Sequence, residues 1–227
     1  MSASGVRARV RAEMTEEIKT VARRHLATDG ANLSLRAVAR DVGMASSAVY
    51  RYFASRDDLL TALIIEAYDG VGAAAETASA RPAEGQADRL LALSHAVRDW
   101  ALADPHQWAL IYGSPVPGYQ APQDTIGPAT RVIMAIAAIV QAGYQAGEIE
   151  PRPEPTGRYV EELTAVAEQF GPNVPPRLVG SAMSAYFQLN GAVSAELFGQ
   201  LKNSVDDDRR GFFEFQMRGA AAFIGLT

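Results

Sequence analysis

Cysteine is absent from all 227 residues, which removes disulfides, thiolate catalysis and cysteine-ligated zinc from consideration. Histidine is nearly as scarce: His25, His95 and His106 are the whole set, and none is spaced against another histidine or a glutamate as metal ligands are. Neither a phosphate-binding P-loop nor a dinucleotide glycine fingerprint is present, so no cofactor is expected. Ser94-His95 with Asp99 contains the residue types of a catalytic triad, but neighbours on one helix point apart, and no enzyme is expected. The longest strongly apolar run, Val132–Val140, is short beside the roughly twenty residues of a membrane span. The opening MSASGVRARVRAEM is basic without an apolar stretch behind it, so it does not read as a secretory signal. A soluble, cytoplasmic protein with no membrane partner is the expectation.

Net positive charge is also missing, because 21 Lys and Arg face 26 Asp and Glu. The imbalance is uneven along the chain. Residues 1–60 carry ten basic and seven acidic side chains, leaving eleven basic and nineteen acidic ones for the remainder. A basic head on an acidic body fits a nucleic-acid-binding domain joined to something else.

No run alternates apolar and polar residues as a strand would, and helical periodicity dominates. Ile18, Val21, Ala22 and Leu26 share one helix face, with Gly30 placed to end that helix. Leu35, Val38, Ala39 and Val42 repeat the pattern, with Ser34 as cap and Gly43 as stop. A short helix is expected over Ser46–Tyr52, and a long one opens at the capping box Ser55-Arg-Asp-Asp58 and runs to about Ala80, before Pro82. Further helices are expected at about 86–103, 105–112, 125–146, 157–169, 176–199 and 207–225, separated in part by Pro/Gly-rich stretches at Gly113–Pro122, Gly147–Gly157 and Gly171–Pro176. The fold class is all-α: an N-terminal three-helix unit at 8–65 and a larger helical bundle at 66–227.

Ser34 to Phe53 has the anatomy of a helix-turn-helix, in which a glycine makes the turn. Val38, Val42, Val49 and Phe53 are placed to pack on Leu26, leaving Ser46, Ser47, Tyr50 and Arg51 outward on an element that fits the major groove. These residues resemble the TetR family of bacterial repressors: Ser34-Leu-Arg-Ala-Val38-Ala39, Gly43-Met44-Ala45, Tyr50-Arg-Tyr52-Phe53 and Ser55-Arg56-Asp-Asp-Leu59 follow that family's head over roughly residues 8–65. Two departures stand out. Met44-Ala45 replaces the usual Val-Ser, so Ser46 is the candidate cap, and Arg56 replaces a lysine.

The resemblance implies that Ser34, Tyr50, Tyr52 and Arg56 meet phosphates, and that Arg36, Ala45, Ser46, Ser47 and Tyr50 face base edges. Packing is the other role open to Tyr50 or Tyr52, and plain solvation the other role open to Arg36. It further implies a homodimer through the last two long helices on a double-stranded, palindromic operator. The segments Trp108–Pro122 and Tyr186–Gly199 resemble the family's Trp-His-Gly subgroup, although only the glycine of that signature is kept. An apolar or amphipathic effector would be lined by Trp108, Tyr112, Tyr119, Met134, Phe170, Met183, Phe187, Gln188 and Asn190. The implied function is a transcriptional regulator, by family default a repressor released by a small molecule. A DNA-binding architectural protein with a solid core in place of a cavity is the alternative.

Overall fold

The computed structural model describes residues 3–29, 33–170 and 174–226. Among them are nine α-helices and no β-strand: α1 (Ala3–Asp29), α2 (Leu35–Val42), α3 (Arg56–Ser79), α4 (Gln86–Ala103), α5 (Pro105–Tyr112), α6 (Ile126–Ala146), α7 (Tyr159–Phe170), α8 (Pro176–Leu197) and α9 (Arg209–Ile224). The fold is all-α, as the periodicity requires. The expected stop at Gly30 and part of the Gly171–Pro176 break lie outside the described residues.

Local chemistry sets several boundaries. Ser34 accepts a long bond from the Ala37 amide at 3.5 Å, and Gly43 closes α2 at φ 80°. There the Met44 amide reaches the Ala39 carbonyl and the Gly43 amide that of Arg40, a Schellman stop that a residue with a β-carbon resists. Asp104 caps α5 by accepting from the Gln107 amide, with Pro105 in the first turn where its missing N–H is harmless.

Two compact units form. The first is the chain up to Tyr68 together with Asp104–Ile126; the second is Asp69–Ala103 with the chain from Gly127 onward. This differs from the simple cut after residue 65. The reason is α5 and its following loop, whose Leu110, Val116 and Tyr119 pack on the core made by Ile18, Val21, Leu26, Val38, Val49, Phe53 and Leu59. Tyr119 hydroxyl and Thr61 hydroxyl lie 2.9 Å apart, and Tyr68 donates to the Ile111 carbonyl at 3.2 Å.

The second unit packs the later half of α3 with α4 and α6–α9 around Leu93, Ile136, Leu178, Leu189, Phe213 and Met217. Between α4 and α8, Arg98 makes a fork to Glu196 at 2.7 and 2.6 Å, with only 8% and 6% of the two side chains exposed. The Arg98 guanidinium also lies 5.7 Å from the ring centre of Phe213 on α9.

Among the described residues one segment is long and apolar enough to cross a membrane by length and composition, a test that the core helix of a soluble protein also passes. That segment is Gln123–Ala146, an 18-residue stretch of which has a mean hydropathy of 1.5. Counting unbroken apolar runs misses it because Arg131 and Gln141 bracket the nine-residue core. The helix is apolar around most of its girth for an internal reason: Val132, Ile136 and Ile139 are core, while Ile133, Met134, Ala137 and Val140 line a cavity.

Candidate nucleic-acid interface and effector cavity

Packing decides which side chains of the first unit are left to act. Val38, Val49 and Phe53 are buried with Leu26, and Val42 packs partly against them. Ser34, Arg36, Ala45, Ser46, Ser47 and Tyr50 remain exposed. Tyr52 is half-buried against the core, beneath the Arg11 guanidinium at 5.2 Å from its ring centre. Arg56 spends its Nε on the Leu33 carbonyl at 3.1 Å and Nη1 on Asp57, so it braces the start of α2 as well as presenting charge.

The outward segment is not the α-helix expected over Ser46–Tyr52. Turns at 46–48 lead into a single 3-10 turn, Val49–Arg51, and Ala48 before it has no side-chain cap. Ser46 therefore does not cap this turn. The Ala48 amide reaches the Ala45 carbonyl, Arg51 reaches Ala48 and Tyr52 reaches Val49, each three residues apart, and only Phe53 to Val49 spans four. With Met44-Ala45 in place of a hydroxyl cap, nothing holds the first amides in α geometry.

Ion pairs fix this unit from behind. Arg23 reaches Glu66 at 2.8 Å, and Lys19 reaches the same carboxylate at 3.4 Å, tying α1 to α3. His25 lies 2.8 Å from Asp41, tying α1 to α2. Hydrogen bonds from Arg40 and then from His25 hold the Asp41 carboxyl below its ordinary range.

In the second unit a half-enclosed cavity of about 310 Å³ opens between α6, α7 and α8. Its walls include Ile133, Met134, Val166, Leu178, Val179 and Met183, with Thr130 and Gln141 as polar groups. Of the nine residues expected to line a pocket, Met134 and Met183 do so. Trp108 and Tyr112 instead pack together in the first unit, ring centres 4.3 Å apart and tilted by 44°, with Trp108 fully buried, and Tyr119 joins the head core. Phe187 is 60% exposed, Gln188 donates to the Gln216 carbonyl, and Asn190 has a buried Oδ1 without a hydrogen-bond partner among the described residues. The side chain of Phe170 lies outside the described residues. Sequence reasoning missed Thr130 and Gln141; the usable signal was the amide at the end of the Val132–Val140 run.

The triad types do not assemble: the Ser94 hydroxyl donates to the Leu90 carbonyl of its own helix, and His95 faces Glu214 at 3.7 Å. No group of three or more His, Asp or Glu side chains fit for a metal occurs among the described residues.

Comparison with known proteins agrees with this layout. Residues 18–63 match the family described as bacterial regulatory proteins, tetR family, and residues 90–220 match the tetracyclin repressor-like C-terminal domain. The HTH-type transcriptional regulator Rv1816 of Mycobacterium tuberculosis is 39% identical, over 97% of this chain and 96% of that protein. A crystal structure of the regulatory protein SCO4313 is 34% identical, covers 95% of this chain and 98% of that one, and superposes with a TM-score of 0.79. A tetR-family regulatory protein from Rhodococcus RHA1 shares the fold at 18% identity, covering 94% and 97% of the two chains with a TM-score of 0.66.

Proposed function

The chain belongs to the TetR family of helix-turn-helix transcriptional regulators, and on that premise we propose that it is a dimeric repressor released from its operator by a small apolar ligand. The observation that carries the ligand reading is the cavity between α6, α7 and α8, whose volume falls at the lower end of ordinary ligand sites of about 300–1,000 Å³. Walls that are almost wholly apolar suit a compact apolar molecule, since the Thr130 hydroxyl at the rim already donates to the Gly127 carbonyl. A cavity also favours this reading over an architectural protein, which needs none.

Ser46, Ser47, Tyr50 and Ala45 meet base edges, together with Arg36, while Ser34, Tyr52 and Arg56 serve the phosphate backbone. Two heads related by a two-fold axis read half-sites about one helical turn apart. Dimerisation uses the outer faces of α8 and α9. There Phe187, Phe215 and Phe223 are 60%, 72% and 55% exposed, and a Cβ on Gly191 or Gly219 would meet nothing within 4 Å in the same protomer. Glycine inside a helix costs about 1 kcal/mol relative to alanine, a cost that close approach of a second copy offsets.

Ligand binding shifts a population between conformations. A shared helix supplies the route, since α3 begins in the first unit and ends in the second. Its second half is clamped to the cavity helix: Arg131 on α6 binds Glu76 at 2.8 and 2.6 Å and Asp69 at 2.8 Å. Such a regulator works in the cytoplasm.

Footprinting on DNA flanking its own gene tests the regulator reading and should reveal a palindrome with half-sites about 34–36 Å apart. Small aromatic and aliphatic compounds are then screened for release from that site. Met183→Trp, which fills the cavity, should retain operator binding and abolish release. Operator affinity unchanged by every ligand would sink the release mechanism while leaving the DNA-binding reading intact.

A further inference from the structure

Helix α1 starts well before the matched family head, which begins at Ile18. No acidic residue precedes Glu13, and the outer turns carry Arg7, Arg9 and Arg11. At 100° per residue, Arg7, Arg11, Met14 and Ile18 fall on one face, and Arg9 lies on the opposite side. Ile18 is buried and Met14 packs on the head core, so this face continues the side of α1 that meets the helix-turn-helix.

Arg11 makes the junction. Its Nη2 donates to the Arg51 carbonyl at 2.7 Å, at the end of the outward 3-10 turn, and its guanidinium covers Tyr52. Residues 5–13 are otherwise exposed. A short exposed helical extension gains little from local propensity, and the Arg11 contacts tie it to the recognition segment. Arg7 stands one turn further out, about 16 Å along the axis from Ile18.

We propose that the outer turns of α1 are a second DNA-contacting element, in which Arg11 braces the helix on the recognition segment and Arg7 holds a backbone phosphate flanking each half-site. The inference rests on the DNA-binding reading and extends it beyond the helix-turn-helix. Charge complementarity and continuity with the recognition segment name the partner: the phosphates of duplex DNA. Because such contacts ignore sequence, they operate on non-operator DNA as well.

The test measures binding of the full chain to a random-sequence 30-base-pair duplex by fluorescence anisotropy across a salt series. Each phosphate contact contributes about 0.9 to the slope of log K against log salt, so Arg7→Gln should lower the dimer's slope by about 1.8. Arg9→Gln removes the same charge from the opposite face and should change the slope by less than half as much. On a site selected by the wild-type chain from a random library, Arg7→Gln should lose hydroxyl-radical protection at the outer edges and keep the centre. Equal slopes for the two variants, or an unchanged footprint for Arg7→Gln on a site the wild type protects, would overturn this proposal alone. Failure of the wild type to protect any selected site would overturn the DNA-binding reading and this proposal with it.

Discussion

His95 is held by packing more than by polar partners. Burial, followed by the nearby Arg210, lowers its pKa despite the opposing pull of Glu214 and Asp99, and its buried Nδ1 has no hydrogen-bond partner among the described residues. The ring lies 5.5 Å from Phe213. The folded chain thus favours the neutral imidazole, and the unfolded chain takes up the proton first, at about pH 6.5. Stability is accordingly full above that pH and falls as the pH drops below it. His95→Leu should flatten this dependence relative to wild type in urea titrations between pH 5 and 8. The Arg98–Glu196 fork predicts a different pattern. Arg98→Met alone leaves a buried carboxylate and should lose about 3–5 kcal/mol in denaturant unfolding, while Arg98→Met with Glu196→Leu should recover most of it. Arg98 shares the face of α4 that carries Leu90, Val97 and Ala101, and no local pattern points to its partner 98 residues away.

Among the elements, some of those ended by local chemistry have the bounds that the sequence implies. The expected spans 86–103 and 105–112 match α4 and α5, where Asp104 and Pro105 mark the break. The recognition segment was misjudged because its turn type depends on a missing cap and on what Val49 and Phe53 bury, not on periodicity. Helix α3 shows a contact that no local pattern announces. A Cβ on Gly72 would stand 2.7 Å from the Cβ of Arg131, so glycine lets α6 approach closely enough for Arg131 to span Asp69 and Glu76. These pairs are part-exposed and add little stability, below about 1 kcal/mol. Their expected role is mechanical. Arg131→Gln should bind ligand in the cavity with near-wild-type affinity, yet the ligand-induced drop in operator affinity should shrink several-fold from the usual range of about 5–150-fold. Operator titrations with and without ligand measure that ratio.

For the whole molecule, the apolar residues of α8 and α9 divide between two tasks. Val193, Phe213 and Ile224 are buried inside the protomer, whereas Phe187, Phe215 and Phe223 face outward. Phe187→Glu with Phe215→Glu should give a monomer by light scattering at micromolar concentration, with helix content retained and operator affinity lower by at least 100-fold. A wild-type chain that is itself monomeric there would remove the dimer.

Helix-turn-helix identity and all-α class were determined by the sequence alone, because caps, glycine stops and 3.6-residue periodicity act within one or two turns. The head core was equally legible: Val38, Val49, Phe53 and Leu26 are close in sequence and their burial follows from helix phase. Only the tertiary structure decided the rest. Trp108 and Tyr119 went to the head and not to a pocket, Met134 and Met183 came together across α6 and α8, and Arg98 found Glu196. Each of these pairs elements far apart in the chain, and apolarity records only that a side chain is buried, never against what.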